Sequence, residues 1–176
     1  MNAERVMKVI LLTHEREVLR PTNTGILALN LFPQWCSRVL WSRVDSNEEL
    51  MALLDSGKAA VLFPKAEAVL VGDKVLNQNV ELDNEAQYLD CPPQTIIILD
   101  ATWQEARKML RQSPYLKAAK KFALSQKTSS QFSLRRNQIQ GGLCTVECII
   151  EMCRLTSMNK EIVELEQVFS EFNQQQ

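Results

Sequence analysis

The stretch Thr95–Met109, T-I-I-I-L-D-A-T-W-Q-E-A-R-K-M, decides the fold. Ile96 to Leu99 is a continuous apolar run rich in β-branched residues. Such a run suits a strand covered on both faces, as in a parallel sheet. Asp100 falls where that strand ends, and open α/β sheets bind ligands in the crevice beyond the carboxyl ends of their strands. Thr102 and Glu105 have capping-box spacing, which predicts a helix over Thr102–Gln112. A helix start exposes N–H groups and positive dipole that favour an anionic group. Asp and Thr are equally ordinary loop and cap residues, so spacing alone leaves both readings open.

The same alternation extends outward along the chain. Val6–Leu12 reads as a first strand, followed by a polar loop with the only histidine, His14. A helix capped by Thr22 or Thr24 and running to about Asn30 follows, with Gly25 near its start where a backbone or ligand can come close. Ser37–Val44 reads as a second strand. Ser46 and Glu49 form another capping box, opening a helix that Gly57 stops. Ala59–Phe63 is a third buried strand and Ala68–Val71 a short one before a G-D-K turn. Beyond the central stretch, Tyr115–Lys120 is a short turn and Lys121–Leu124 a strand. Val146–Leu155 and Lys160–Phe172 are amphipathic helices. Strands alternating with helices predict an α/β fold with a largely parallel sheet flanked by helices.

At 176 residues, 45% hydrophobic and 23% charged, the composition is that of one globular domain, residues 1–176. No apolar run approaches the ~20 residues of a membrane span, and the N-terminus lacks a signal-peptide plan. Five cysteines without a C-x-x-C pair fit reduced thiols, hence a cytoplasmic protein. The net charge of −1 hides an uneven distribution: residues 45–90 carry three Lys/Arg against ten Asp/Glu, and residues 100–154 carry ten against four. The basic stretch is a candidate footprint for nucleic acid, or simply a set of solvated helix faces.

No metal is expected. Only Cys144 and Cys148 share a helical spacing, and a single histidine cannot complete a zinc site. There is no Walker loop, no G-x-G-x-x-G and no nucleophile elbow. What remains are polar residues at the ends of predicted elements: His14, Arg20, Thr24, Gly25, Asp100, Thr102, Trp103, Glu105, Arg135, Arg136, Thr145 and Glu147. Each has a bland counterpart as a cap, a packing residue or a solvated charge. Glu147, for example, sits where it complements a helix dipole.

D-A-T-W at 100–103, continued by E-A at 105–106, resembles the run that names the DTW-domain proteins. Three further segments agree in order: T-H-E-R-E-V-L-R-P-T-N-T-G (13–25), S-L-R-R (133–136) and G-L-C-T-V-E-C (142–148). The chain departs from the family in lacking an aromatic before the basic run and in carrying Cys at 144 and 148. It also starts directly at the first strand, without the family's cysteine-rich N-terminal segment.

The resemblance implies an S-adenosylmethionine-dependent tRNA-uridine aminocarboxypropyltransferase with a SPOUT-like fold and a C-terminal trefoil knot. It implies catalysis by Asp100, Thr102 and Trp103. Asp100 would hold the donor's ammonium or help deprotonate the uridine. The donor would lie among Thr24, Gly25, Glu105, Gly142, Leu143, Thr145 and Glu147. His14, Arg20, Arg135 and Arg136 would hold the tRNA, and the enzyme would act as a monomer or homodimer. The rivals are S-adenosylmethionine-dependent modification of another RNA, such as ribosomal RNA, or a non-catalytic relative that binds RNA or a partner.

Overall fold

The computed structural model describes residues 6–65, 69–71, 74–76, 87–124 and 143–175. In chain order the elements are β1 (Lys8–Thr13), α1 (Glu15–Val18), α2 (Gly25–Leu31), β2 (Cys36–Leu40), α3 (Glu48–Asp55) and β3 (Ala59–Leu62). There follow β4 (Val69–Val71), β5 (Lys74–Leu76), β6 (Thr95–Asp100), α4 (Trp103–Gln112), α5 (Pro114–Ala118), β7 (Lys121–Phe122), α6 (Thr145–Leu155) and α7 (Asn159–Gln174). Five strands form one sheet in the order β2-β1-β6-β3-β7, with every pairing parallel. β4 and β5 form a separate antiparallel pair.

The apolar run of β6 is continuous because both its faces are covered. Ile96 and Ile98 join Val9, Leu11 and Ala60 in one core, with Ala28 and Phe32 of α2, Val146 and Ile149 of α6, and Leu165 of α7. Ile97 and Leu99 join Leu12 and Val61 in a second core, with Leu50 of α3, Met109 and Leu110 of α4, and Leu116 of α5. All six residues of β6 are buried. The period of two along each strand thus deals successive residues to opposite cores.

This layering also locates a crevice. β1 and β6 are neighbours. The longer helix between β1 and β2, α2, lies in the first core, and the helix that follows β6, α4, lies in the second. Adjacent parallel strands whose following connections leave to opposite faces define a topological switch point, where the chain parts beyond the strand ends. Here those ends are Thr13–His14 and Asp100–Thr102.

Several boundaries differ from the sequence reading. The second strand stops at Leu40 rather than Val44. β1, its single neighbour, ends at Thr13, whose carbonyl takes the last rung from Trp41 N–H at 2.8 Å. Ser42 Oγ then accepts from Asp45 N–H at 3.0 Å, turning the chain. α3 is capped by Asn47, whose side chain accepts from Leu50 N–H at 3.0 Å, not by Ser46. Asn is at least as good an N-cap as Ser, so the neighbour one residue on wins. The loop after β1 contains α1, a single turn capped by His14. β5 was not legible, and the strand expected to reach Leu124 ends at Phe122. Gly57 stops α3 as expected, at φ 73° in the left-handed region.

Candidate active site

The sheet register brings three side chains to one place. On β1, Thr13 lies opposite Asp100 of β6, and Leu11 lies opposite Arg38 of β2. Thr13, Arg38 and Asp100 share parity with Val9, Cys36 and Ile98, so all three emerge on the α2/α6 face, at its carboxyl edge. The first core therefore ends in a polar layer.

Asp100 is the centre of that layer and is wholly buried. Its Oδ1 accepts from Asn23 Nδ2 and from Thr145 Oγ1, each at 2.9 Å. Its Oδ2 accepts from Thr13 Oγ1 at 2.9 Å and from Arg38 Nη2 at 3.4 Å. A buried carboxylate is costly unless paired and hydrogen-bonded. Here one cation and three neutral donors meet it, and the first turns of α2 and α6 add their positive ends. Four donors leave the carboxylate no outward lone pair.

Gly25 opens α2 against this group. A Cβ at Gly25 would sit 2.9 Å from Leu11 Cδ1 and 3.3 Å from both Asn23 Oδ1 and Asp100 Oδ2. Glycine is therefore required by close approach. Thr24 is buried, and its Oγ1 accepts from Val146 N–H at 3.1 Å, fastening the start of α2 to the start of α6. Asn23 links the layer to a second buried carboxylate, Glu17, at 3.1 Å. Glu17 in turn accepts from Arg20, whose side chain is 37% exposed. Arg20 is thus engaged in the turn, with the rest of its guanidinium toward solvent.

The start of α6 carries Thr145 and Glu147. Glu147 Oε1 accepts from Cys144 N–H at 3.1 Å and is buried. Leu143, half-buried, leads into the helix. Beneath the layer, burial pushes the Cys36 thiol up to about 12, with the Asp100 charge adding to the effect. Burial likewise pushes the Cys144 thiol up.

Across the crevice, the predicted capping box of α4 is present. Thr102 Oγ1 accepts from Glu105 N–H at 3.2 Å, and Glu105 Oε2 accepts from Thr102 N–H at 3.1 Å. The N–H groups of Trp103 and Gln104 are the remaining donors of this first turn. Trp103 stacks on Phe63 at 5.5 Å between ring centroids, on the second-core side. Among the described residues, its Nε1 is buried without a hydrogen-bond partner. His14 Nδ1 accepts from Arg16 N–H at 3.2 Å, so its Nε2 carries the proton and offers a donor. The His14 ring stacks on Trp41 at 5.5 Å. Arg16 reaches back to Glu105 at 3.9 Å, closing one rim.

The structure therefore brings Thr24, Gly25, Asp100 and Thr145 into one hydrogen-bonded layer, with Thr102, Trp103, Glu105 and His14 around the strand ends. Gly142, Arg135 and Arg136 lie outside the described residues. Four members of the layer escaped the sequence reading: Thr13, Glu17, Asn23 and Arg38. Thr13, Glu17 and Asn23 stand inside the 13–25 segment, and Arg38 is a half-buried cation in the strand Cys36–Leu40. Among the described residues, no three His, Cys, Asp or Glu side chains gather to hold a metal, and no helix is long and apolar enough to cross a membrane.

Comparison with known proteins adds an independent line. The profile described as the DTW domain matches residues 2–176. The chain is 24% identical over 159 residues to "tRNA-uridine aminocarboxypropyltransferase 2" of Drosophila melanogaster, covering 88% of this chain and 58% of that protein. It is 26% identical over 157 residues to the protein of the same name from Macaca fascicularis, covering 88% and 49%. To that from Mus musculus it is 26% identical over 152 residues, covering 85% and 47%. The chain spans about half the length of the curated relatives it matches. No solved structure matches it.

Proposed function

This chain belongs to the DTW-domain family, and we propose that it transfers the 3-amino-3-carboxypropyl group of S-adenosylmethionine to a uridine in tRNA, releasing methylthioadenosine. One observation carries the reading. Three segments far apart in sequence, around residues 24–25, 100 and 145, close on one buried carboxylate at the switch point of a parallel sheet. The relatives' name supports the reaction, and a crevice at the switch point supports a site for it.

The residues present fit such a donor. Its carboxylate suits the open Trp103 and Gln104 N–H groups at the start of α4. The orphaned Trp103 Nε1 wants an acceptor, and a bound donor or base would supply one. Leu143, Thr145 and Glu147, with Gly142 before them, would wall the adenosine, and Thr24 and Gly25 would shape its floor. Glu105, held in the capping box, keeps the helix start in place rather than touching the donor. When bound, the donor would offer an electrophilic chain carbon beside its sulfonium; the uridine nitrogen, giving up its proton to solvent water, would form the new N–C bond as the C–S bond breaks and neutral methylthioadenosine leaves. Choosing that carbon over the methyl is a matter of aligning one C–S bond with the nucleophile. With four donors on its carboxylate, Asp100 acts by fixing the walls around that alignment.

His14, with an N–H donor beside the crevice, and Arg20 at its rim would meet RNA oxygens, together with Arg135 and Arg136. The proposed enzyme is a single DTW-type domain of SPOUT-like fold with a C-terminal knot, monomeric or homodimeric, working in the cytoplasm. The all-parallel sheet and the free state of all five cysteines support this reading. The test is incubation with tRNA and donor carrying separate labels on its methyl and carboxypropyl carbons. Carboxypropyl label on the RNA, with methylthioadenosine released, is expected; methyl label on the RNA contradicts the proposal.

A further inference from the structure

We propose that Arg38 is a positioning residue: its guanidinium sets the shape of the crevice by clamping three separate elements. The proposal rests on reading that crevice as the donor site. Arg38 lies in β2, one of the two edge strands of the sheet among the described residues. An arginine on an edge strand ordinarily runs its head out to water. This one turns inward, and its side chain is only 18% exposed. Nε donates to Thr13 Oγ1 of β1 at 3.1 Å. Nη2 donates to Asn23 Oδ1, in the turn before α2, at 3.1 Å, and to Asp100 Oδ2 of β6 at 3.4 Å.

Each contact holds a different piece of the crevice. Asn23 Oδ1 also accepts from Ile26 N–H at 3.2 Å, so Arg38 fixes the oxygen that caps the first turn of α2. Through Asp100 it reaches Thr145 at the start of α6. The charged groups around it are Asp100, and, one residue further, the Glu17–Arg20 pair; the neutral Cys36 thiol lies on its own strand. Its planar fork makes all three bonds from two nitrogens held in fixed relation, Nε and Nη2, in a geometry that the flexible point charge of lysine cannot reproduce.

The positions of α2 and α6 relative to Asp100 depend on this clamp, while the second core, with α4, does not touch it. Loss of Arg38 should therefore loosen the proposed donor walls without unfolding the sheet. The experiment uses the full chain with Arg38→Lys and Arg38→Ala. Titration calorimetry with S-adenosylmethionine should show affinity weakened about tenfold or more in both, one lost charge-assisted contact set being worth at least that. Affinity for tRNA should stay within about twofold, because the clamp faces inward. Methylguanidinium should restore donor affinity to Arg38→Ala, which a purely structural defect would not permit. Amide exchange should quicken more in peptides covering the starts of α2 and α6 than in β6 and α4.

Unchanged donor affinity in folded Arg38→Lys overturns the proposal. So does a parallel loss of donor and tRNA affinity without guanidinium recovery. If Arg38→Ala does not fold, Arg38→Lys carries the affinity and exchange measurements. If the wild-type chain binds no donor, the transferase reading fails, and the exchange pattern alone then decides whether Arg38 holds the two helix starts.

Discussion

Replacing Asp100 with asparagine separates a residue that holds the crevice from one that reacts in it. The carboxylate accepts four bonds, two on each oxygen. Asparagine keeps the shape but must place its NH2 where one oxygen was. In one orientation that NH2 faces Arg38 Nη2; in the other it faces Asn23 Nδ2. Arg38 can only donate, and Asn23 is held in its orientation because its Oδ1 accepts from Arg38 and from Ile26 N–H while its Nδ2 donates to Glu17, whereas Thr13 and Thr145 can rotate their hydroxyls. One donor–donor clash is therefore unavoidable, and the Arg38 charge loses its partner. Removing one member of a buried pair costs ~3–5 kcal/mol. Because asparagine keeps part of the bonding, and Arg38 is 18% exposed, a loss of about 3 kcal/mol is expected. In a chain of this size that lowers Tm by about 6–12 °C. Scanning calorimetry measures the shift, and a labelled-donor assay measures transfer at a temperature where the variant is folded. Both stability and transfer should fall, with donor affinity weakened as the walls loosen. An Asp100→Asn protein with wild-type Tm and donor affinity but no turnover would refute the reasoning, because that is the signature of a reacting group.

Three other outcomes follow from the same geometry. Gly25→Ala gains ~0.5–1 kcal/mol of backbone entropy but loses ~1–3 kcal/mol to a Cβ 2.9 Å from buried Leu11; a net loss of about 1–2 kcal/mol, seen as a lower Tm, is expected. A variant more stable than wild type would show that the layer yields easily. Burial raises the Cys36 and Cys153 thiols from 9.0 to about 12, and raises Cys144 as well. A folded-state value above the unfolded one stabilises the protein fully below about pH 9, and that stability is lost as pH rises beyond it, at about 1.4 kcal/mol per pH unit per thiol. Denaturant unfolding from pH 8 to 10 checks this, and alkylation of the native protein should favour exposed Cys91 over the three buried thiols. Affinity for tRNA should fall roughly 10–50-fold between ~50 and ~200 mM salt if a few arginines neutralise phosphates; salt-independent binding would argue against the phosphate contacts.

Much of the fold was legible because the signals were local. The β6 run, the Thr102–Glu105 box and Gly57 each state their structure within a few residues, and all three are present. Boundaries failed where a distant partner decides them. β2 ends at Leu40 because β1 offers no further rung beyond Thr13, a fact absent from the sequence around Val44. The site divided in the same way. Asp100, Thr24, Gly25 and Thr145 were found from element ends and motif resemblance. Arg38 was not, because only the parallel register of three strands brings its guanidinium within reach of Thr13 and Asp100. Register also makes Asp100, expected at the strand's end, a buried hub. Sequence position shows where a strand stops but not how many donors will meet it there.

The central claim is that this crevice makes aminocarboxypropyl-uridine in tRNA. Mass analysis of tRNA nucleosides from cells lacking the gene, and from the same cells carrying the wild-type or the Asp100→Asn gene, tests it most directly. The aminocarboxypropyl-uridine should disappear on deletion, return with the wild-type gene, and return weakly or not at all with Asp100→Asn. An unchanged nucleoside profile in the deletion strain would contradict it.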